Sequence, residues 1–423
     1  MEKLAKQLTI KYAFLQSTFW LSMCSFYSFA AVFLKSKNFD NVQIGFVLAL
    51  AAVISIILQP FIAAFADKTK TISLRHIVIS LMFIVLALAI LLLMNPDSFL
   101  IVGITYILIN AIQFTLNPLF NSLALEYMNK GIPINYGLAR GLGSISFAVM
   151  SYLLGIFVNR FGADILVSIF LLCYCFVIIS AFAFKVTVPK KLRTPLANLH
   201  IDTDTNNTMG YTDRLTEDIS EISPSGILTF FIKYKKFSLH LIGLSMLFYS
   251  HCLMNTYLIN IIENVGGNSS NLGISLSIAA ALELPTMAAF IFLVRKIKCN
   301  TLLKLSGFFF LIKVGITWLA PNVYMVYLAQ AFQMLSFALF TPASVYYVNS
   351  IIEEQDKVKG QTMLGVATMG IAGTIANITG GKILDTVGVS DMLLIGTIVT
   401  AIGFVIIIFT TDEPVTLENN ELF

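Results

Sequence analysis

The sequence predicts an all-α, polytopic membrane protein with twelve transmembrane helices arranged as two pseudo-symmetric six-helix bundles. Of its 423 residues, 57% are hydrophobic and only 12% are charged, and the mean hydropathy is +0.84. A soluble chain carries about 45–50% apolar and about 25% charged residues, so a soluble interior could not bury this surplus. Long apolar runs recur along the chain, and helices are the form in which such runs satisfy their backbone groups within lipid.

Apolar runs long enough to cross a bilayer core of about 30 Å occur twelve times, and we number them spans 1 to 12. They occupy residues 12–34, 42–65, 75–94, 98–124, 137–158 and 163–186, then 237–262, 270–294, 303–320, 323–350, 360–381 and 390–410. The polar stretch between spans 6 and 7 shows no sustained amphipathic pattern, as is typical of a flexible linker. We therefore predict a first bundle over 1–186, a cytoplasmic linker over 187–236 and a second bundle over 237–423.

The distribution of basic residues predicts the orientation in the membrane. If the amino terminus is cytoplasmic, the segments on the opposite side hold only four of the 27 Lys and Arg residues, namely Lys35, Lys37, Arg160 and Lys382. Basic residues resist translocation, so both termini are expected in the cytoplasm and the protein in the plasma or inner membrane. Span 1 is longer than the apolar core of about 7–15 residues in a secretory signal and is expected to stay uncleaved.

The two halves share repeated features. Pro-x-x-Ala-Ala-Phe occurs at 60–65 in span 2 and again at 285–290 in span 8, and Gly155 recurs as Gly381 with nearly the same offset. Two six-helix repeats around a cavity at the bilayer midplane are a recurring plan of secondary transporters, which rock one half against the other. The repeat therefore predicts a transporter of a small molecule.

Motifs for other chemistry are absent from the sequence. Gly380-Gly381-Lys382 is the one candidate phosphate loop, but Ala376 replaces the first Walker glycine and Ile383 the metal-binding hydroxyl. The five Cys form no C-x-x-C pair, and the four His show no metal-ligand spacing. We expect no cofactor, no metal ion, no nucleic-acid partner and no enzyme activity; a membrane-embedded hydrolase is the alternative. We expect a monomer in the lipid bilayer whose transport is driven by an ion gradient.

Ionisable residues inside the first bundle mark a candidate substrate site, because a charge at the bilayer centre costs at least about 2.5–3.5 kcal/mol and normally faces the bundle interior. Glu126 ends span 4 and Arg140 begins span 5, so they could form an ion pair that binds substrate or one that only anchors the helix ends. Phe147 lies two turns beyond Arg140 and could stack on a substrate or simply pack. Span 4 also carries amides on one face, at Asn110, Gln113, Asn117 and Asn121. Such a stripe lines either a water-filled cavity or a seam between helices.

The second bundle carries the candidate coupling residues. Glu283 and Lys313 lie in the middle of spans 8 and 9 and are either a static salt bridge or a carboxylate that exchanges its proton during transport. His251 in span 7 shares a face with Asn255 and either relays protons or is a structural, hydrogen-bonded histidine. Gln333 belongs to a polar stripe on span 10. We predict Asn255 and Gln333 as substrate ligands from this half.

Several short motifs together resemble a known family. They are Gln59-Pro60, Asp67-Lys68, Tyr136-Gly137-Leu138-Ala139-Arg140-Gly141-Leu142-Gly143, Ala281-Leu282-Glu283-Leu284 and Asp385-Thr386-Val387-Gly388. In their order and spacing they resemble the lactose permease and 3-phenylpropionate permease branch of the major facilitator superfamily. The resemblance implies that Glu126, Arg140 and Glu283 contact sugar hydroxyls and that Phe147 stacks on the sugar ring. Lys313 falls where that branch has an arginine used in proton coupling.

The sequence also departs from that branch. Gln333 and Ser336 stand where span 10 of lactose permease has a His and the proton-carrying Glu, and span 7 has Cys252 and Asn255 in place of acids. Met369 replaces the matching lysine of span 11. Lactose-type coupling through span 10 therefore cannot operate here. Either Glu283 with Lys313 carries the proton, or the protein is an uncoupled facilitator.

These observations lead to one expected function. We expect a secondary active transporter that moves a small polar solute, a sugar, a nucleoside or a small organic acid, by alternating access and in symport with protons. Asp67 and Lys68, after span 2, are expected to form a gating loop on the cytoplasmic side. A non-transporting membrane sensor with the same fold is the remaining alternative.

Overall fold

The computed structural model describes residues 2–68, 73–128, 132, 134–185, 224–353 and 356–411. These residues form helices joined by short connections, and no strand occurs among them. The helices of the first half are α1 (Glu2–Met23), α2 (Ala30–Ser36), α3 (Asn41–Lys68), α4 (Leu74–Met94), α5 (Phe99–Met128), α6 (Tyr136–Phe161) and α7 (Ile165–Ala183). Those of the second half are α8 (Pro224–Lys233), α9 (Lys235–Thr256), α10 (Leu258–Asn264), α11 (Ser269–Lys296), α12 (Cys299–Trp318), α13 (Val323–Ala331), α14 (Phe337–Ile351), α15 (Lys357–Gly365) and α16 (Gly373–Thr410).

The described helices account for the twelve predicted spans. Ten helical segments are long and apolar enough to cross a membrane, and the bent pair Leu4–Ser28 and Ala30–Ser36 forms an eleventh. One of the ten, Lys357–Thr410, has 54 residues and is interrupted at Gly388, where φ is 88°. At 1.5 Å per residue it is about 80 Å long, more than twice a bilayer core of about 30 Å, so it supplies both of the last two spans.

Polar side chains cap the helices on which the candidate site depends. The Asn135 side chain accepts a hydrogen bond from Leu138 N at 3.0 Å and caps the start of α6, the helix that carries Arg140. Asn268 forms a capping box with Asn271 at the start of α11, the helix that carries Glu283. These caps satisfy backbone N–H groups that have no partner within the helix and thereby fix where each helix starts.

One helix was not predicted. Residues 224–236 belong to the predicted linker, but Pro224–Lys233 forms α8 and α9 begins at Lys235. The Phe230 ring of α8 is buried, and it lies 6.2 Å from the ring of Phe237 on α9. The Lys233 ammonium pairs with Glu353 at 2.9 Å and with Asp356 at 3.0 Å. The last part of the linker is therefore helical and attached to the second bundle, whereas residues 187–223 lie outside the described part.

The two halves meet along two helix pairs, α6 with α11 and α3 with α16. Gly155 of α6 and Gly273 of α11 allow close approach, since a Cβ atom on Gly155 would come within 2.9 Å of Gly273 Cα. The Ser277 hydroxyl of α11 donates to the Ala148 carbonyl of α6 at 2.6 Å. Small residues at such crossings let membrane helices pack backbone to backbone.

A cluster of hydrogen bonds and an ion pair also joins the halves at one end of the bundle, which we call the Lys35 face and define by Lys35, Asn41, Glu263 and Asp385. The Lys35 ammonium pairs with Glu263 at 2.5 Å. The Asn41 side chain donates to Asp385 at 2.5 Å and accepts from Asn260 at 3.1 Å. The structure is therefore closed at the Lys35 face.

Candidate functional site

A line of three polar side chains runs through the second half, from Lys313 on α12 through Gln333 to Glu283 on α11. The Lys313 ammonium donates to Gln333 Oε1 at 2.6 Å, and Gln333 Nε2 donates to Glu283 Oε1 at 2.8 Å. Lys313 is 1% exposed and Gln333 is 5% exposed, whereas Glu283 is half-buried. The structure thus brings together three residues that the sequence analysis singled out, but the acid and the base are joined through an amide rather than directly.

Gln333 lies at a break in its helix. Helix α13 ends at Ala331, Phe332–Met334 form a short 3₁₀ turn, and α14 begins at Phe337. At Ser336 the backbone has φ −90° and ψ −89°, outside the helical range, and its carbonyl accepts a hydrogen bond from the Ser306 hydroxyl of α12 at 2.9 Å. A 3₁₀ stretch within a helix is typical of a hinge or of local strain.

Arg140 projects from the first turns of α6 and lies against an aromatic ring of α1. Its guanidinium carbon is 4.2 Å from the centroid of the Trp20 ring, and its Nη1 donates to Ser144 at 3.3 Å. Stacking on an aromatic face orients a guanidinium and leaves its remaining N–H donors free to bind a ligand. Within the described residues Arg140 makes no ion pair, so the pairing with Glu126 that the sequence allows is not formed in this structure.

Arg140 and Glu283 lie on helices that pack directly against each other across the two halves. A Cβ atom on Gly141, the next residue after Arg140, would meet Leu284, the next residue after Glu283, at 2.9 Å. One positively and one negatively charged residue, contributed by opposite halves, therefore lie next to the same contact between α6 and α11.

A hydrogen-bonded network on α1 supports Trp20, and the sequence analysis did not identify it. The Trp20 indole donates to Gln16 Oε1 at 3.1 Å, Gln16 Nε2 donates to the Tyr12 hydroxyl at 2.7 Å, and that hydroxyl donates to Asn121 Oδ1 at 3.0 Å. Tyr12, Gln16 and Trp20 recur every four residues, which places them on one face of α1. That spacing is the signal in the sequence that could have revealed this network.

Phe147 adjoins the same aromatic wall. Its ring is half-buried and lies 6.2 Å from the Trp20 ring at an interplanar angle of 72°. Edge-to-face pairs of this kind favour a fixed mutual orientation. Trp20, Phe147 and the Arg140 guanidinium therefore form one continuous surface in the first half.

The amide stripe of span 4 divides into two parts in the structure. Asn110 and Gln113 on α5 are 0% exposed, and both amide atoms of Gln113 lack a hydrogen-bond partner. Asn117 is half-buried, and Asn121 belongs to the network beneath Trp20. Asn110 and Gln113 are thus packed inside the first bundle, whereas Asn117 is only partly buried and Asn121 is hydrogen-bonded to the network that supports Trp20.

His251 on α9 packs among aromatic rings, near the hydrogen-bonded line Lys313–Gln333–Glu283. Its ring stacks on Phe337, with centroids 5.0 Å apart and an interplanar angle of 9°. His251 Nε2 is 3.0 Å from the Asn255 side-chain nitrogen, and its Nδ1 is buried without a hydrogen-bond partner. Asn255 is exposed. The His251 ring is therefore anchored on Phe337, close to the break that carries Gln333.

The remaining predicted residues lie at the ends of their helices. Glu126 is exposed and lies two residues before the end of α5. Asp67 and Lys68 are the last two residues of α3, and their side chains lie outside the described part of the structure. In the ranges that the structure describes, no group of three or more His, Cys, Asp or Glu side chains is arranged to hold a metal ion.

Helices throughout the described residues, at least ten of them apolar and long enough to cross a membrane, and charged and aromatic side chains where two bundles meet are typical of polytopic membrane proteins of the secondary transporter class. The sequence pattern of the MFS_1 like family matches residues 8–395. The chain belongs to this family and is a transporter of the major facilitator type.

Its relatives are transporters. The chain is 24% identical over 372 residues to the uncharacterized transporter YwbF of Bacillus subtilis (strain 168). The matched region covers 88% of this chain and 85% of that protein. It is 23% identical over 399 residues to the maltose permease of Geobacillus stearothermophilus, covering 90% and 91%.

Solved structures show the same fold. A mutant of the nucleoside transporter NupG superimposes with a TM-score of 0.76 at 14% identity, covering 97% of this chain and 100% of that chain. An auto inhibited peptide transporter of the POT family gives a TM-score of 0.66 at 10% identity, covering 95% and 96%. Both likenesses concern the fold, which is that of major facilitator transporters.

Proposed function

We propose that this protein is a proton symporter that moves a small polar solute across the cytoplasmic membrane by alternating access. The observation that carries the proposal is the junction between the halves at which Gly141, next to Arg140, packs on Leu284, next to Glu283, with Glu283 linked through Gln333 to Lys313. A transporter that rocks about this junction changes the surroundings of Glu283 in each cycle. A carboxylate whose surroundings change can take up a proton on one side and release it on the other.

The proposed substrate is a neutral, hydroxyl-rich molecule such as a sugar or a nucleoside. A guanidinium held over the Trp20 ring presents donors to paired hydroxyls, and the Trp20 and Phe147 rings offer a surface for a sugar or a base. A maltose permease and a nucleoside transporter among the similar proteins support this class. A small organic acid remains the alternative substrate, because Arg140 can also bind a carboxylate in bidentate fashion. Membership of the lactose permease branch would agree with the sugar class.

The distribution of basic residues supports an orientation with both termini in the cytoplasm. In this orientation the Lys35 face is the outer face, and the structure corresponds to a state closed toward the outside. Glu126, Asn117 and Asn255 are further proposed ligands, while Asp67 and Lys68 are proposed to act at the inner gate. Gln113, which is fully buried, would reach a substrate only after helix movement.

The test is uptake and exchange in proteoliposomes with radiolabelled maltose and uridine as probes. Arg140→Ala should abolish binding and exchange, because it removes the donor group of the first half. Glu283→Gln should abolish accumulation driven by a proton gradient, because an amide cannot carry the proton. Arg160→Ala is the matched control, since Arg160 is an exposed arginine at the other end of α6 and stacks on its neighbour Phe161. Wild-type behaviour of both Arg140→Ala and Glu283→Gln would refute the site assignment.

An uncoupled facilitator is the second candidate, favoured by the neutral side chains Gln333 and Ser336 in the break between α13 and α14. It predicts exchange of labelled solute between the two sides without accumulation, whatever the proton gradient. A proton ionophore separates the two candidates, since only a symporter loses accumulation when the gradient collapses. A non-transporting sensor would bind the probe and show neither exchange nor accumulation.

A further inference from the structure

We propose that Gln333 is a positioning residue that links the protonation state of Glu283 to the conformation of the broken helix α13–α14. This inference rests on the proposed function, in which Glu283 carries the proton. It assigns to Gln333 a role different from direct contact with substrate, because both ends of its amide are already engaged within the protein.

The amide of Gln333 can bridge its neighbours in only one orientation. A lysine ammonium has donors and no acceptor, whereas an ionised carboxylate has acceptors and no donor. The amide oxygen must therefore face Lys313 and the amide nitrogen must face Glu283, as the distances of 2.6 Å and 2.8 Å show. Both hydrogen bonds involve an ionised group and are stronger than bonds between neutral groups. Their buried position increases their strength further.

The amide also keeps Glu283 and Lys313 apart. No direct ion pair joins these two residues, both of which lie in the described part of the second bundle. If Glu283 and Lys313 formed a direct ion pair, protonation of the carboxylate would leave the buried Lys313 ammonium without a partner, which is costly. With Gln333 between them, the Lys313 ammonium keeps its hydrogen bond to the amide oxygen when Glu283 becomes neutral. The other charged residue near Glu283 is Arg140 on α6 of the opposite half, whose neighbour Gly141 packs on Leu284.

Gln333 lies in the break between α13 and α14, so a change in its hydrogen bonds can change the geometry of that break. Gln333 is the middle residue of the 3₁₀ turn Phe332–Met334, and α14 begins three residues later. The break is not caused by a proline, since the proline of α14 is Pro342, beyond the irregular residues. Phe337, the first residue of α14, stacks on His251. A displacement of the turn would therefore be passed to Phe337 and to the aromatic packing around His251.

Protonation of Glu283 should release the turn. The added proton neutralises the carboxylate, so the hydrogen bond from Gln333 Nε2 loses its charge assistance. Gln333 is then held mainly by Lys313, and the angle between α13 and α14 can change. In this way the uptake of one proton at α11 changes the shape of the neighbouring helix pair, which is what coupling to a conformational cycle requires.

A distance measurement tests the link without any transported solute. Spin labels are placed at Tyr324 on α13 and Val345 on α14, both exposed, after replacement of the five native cysteines. Glu283→Gln reproduces a neutral side chain, and Gln333→Leu removes the bridge. Both should shift the distance distribution measured by double electron–electron resonance in the same direction, by about 2 Å. The double variant should shift it no further, because each change breaks the same link.

Gln330→Leu is the matched control. Gln330 is a buried glutamine one turn earlier on α13, and its amide nitrogen has no hydrogen-bond partner. It should leave the distance distribution unchanged. If Gln333→Leu does not purify as a monodisperse protein, Gln333→Asn replaces it, since an amide that is one methylene shorter cannot span both neighbours. An unchanged distribution in Glu283→Gln, or shifts that add in the double variant, would overturn the proposal.

Transport measurements separate this proposal from the proposed function. If wild-type protein accumulates its probe with the proton gradient, Gln333→Leu should still exchange labelled solute but lose at least tenfold in accumulation. Full accumulation by Gln333→Leu would overturn the bridging role and leave proton symport standing. If the wild type exchanges solute without accumulation, proton symport fails and the role of Gln333 in coupling fails with it, whatever the distance measurement shows.

Discussion

The Asp385 carboxylate caps the first turn of the helix that begins at Asn41, although the two residues belong to opposite halves of the protein. One carboxylate oxygen accepts a hydrogen bond from the Asn41 side chain at 2.5 Å, and the other accepts from Val42 N at 3.1 Å. An acidic side chain at a helix start satisfies free N–H groups and interacts favourably with the helix dipole. Because the cap forms between the halves, it exists only while the Lys35 face is closed.

Removal of this cap should open the Lys35 face. Asp385→Ala removes a cap worth about 1 kcal/mol, which corresponds to a roughly fivefold change in the ratio of closed to open states. Spin labels at the exposed residues Asp97 and Asp391, one in each half, should report a larger population of long distances. Asp164→Ala is the control, because Asp164 pairs with Lys37 within the first half, at 2.7 Å. Equal distance distributions in Asp385→Ala and wild type would contradict the cap.

Close packing of α6 on α11 should be required for the same closure. Gly273→Ala places a methyl group against the backbone of Ser151 and Gly155, where no flexible side chain can yield. We expect exchange of labelled solute to fall at least tenfold, because the closed state is strained. Gly315→Ala on α12 is the control, since a Cβ atom there has no neighbour within 4 Å. That variant should transport normally and gain up to about 1 kcal/mol in stability from the higher helix propensity of alanine. Normal exchange by Gly273→Ala would show that the contact is not needed.

The bridge between α8 and the start of α15 should give a defined pH dependence of stability. Partial burial raises the pKa of the Asp356 carboxyl, but hydrogen bonds from the Lys233 ammonium and the Tyr234 hydroxyl lower it by more, so the net pKa lies below the usual value. Hydrogen bonds to Glu353 and Asp356 raise the pKa of Lys233. Because the pKa of Asp356 is lower in the folded state, its ionised carboxylate stabilises the fold at pH values above its unfolded pKa, near about 3.9. This stabilisation is lost as the pH falls through the folded pKa. Because the pKa of Lys233 is higher in the folded state, its ammonium stabilises the fold at pH values below its unfolded pKa, about 10.4.

Asp356→Asn should therefore lower the melting temperature by roughly 1–3 °C between pH 5 and pH 9 and by less below pH 4. Thermal unfolding of the purified protein in detergent measures this difference. Asp391→Asn, at an exposed position of α16, should show no difference at any of these pH values. A destabilisation by Asp356→Asn that persists at pH 3 would contradict the ionic origin of the effect.

The sequence predicts the spans of this protein better than the contacts at its site. Hydropathy determines the spans because lipid excludes unpaired polar backbone, and the cost of charge identifies Glu283, Lys313 and Arg140 as interior residues. It does not reveal that Gln333 stands between Glu283 and Lys313, because the rotation and the local break of α13 depend on tertiary packing. The stack of Arg140 on Trp20 joins α1 and α6, which are far apart in the chain, whereas the sequence alone points to an ion pair with the nearer Glu126 as one possibility. The sequence predicts a linker where the short helix Pro224–Lys233 forms, because the attachment of this helix depends on Glu353 and Asp356, far along the chain.

Trp20 should determine how well the site binds its ligand. Trp20→Ala removes the ring beneath the Arg140 guanidinium and frees that side chain to reorient; a cation–π contact contributes about 0.5–2 kcal/mol, so affinity should fall roughly 2- to 30-fold. Trp20→Phe keeps a ring but loses the hydrogen bond to Gln16, so its affinity for the probe should lie between those of wild type and Trp20→Ala. Isothermal titration of the purified variants with the transported probe measures both effects.

Fluorescence gives the matched control for this prediction, because the chain contains two tryptophans, Trp20 and Trp318. In Trp318→Phe the emission comes from Trp20 alone, and the probe should change its intensity with the same affinity as wild type. In Trp20→Phe the remaining Trp318 at the end of α12 should not respond to the probe. A ligand response from Trp318 alone, or unchanged affinity in Trp20→Ala, would mean that the substrate binds away from the Arg140 and Trp20 stack.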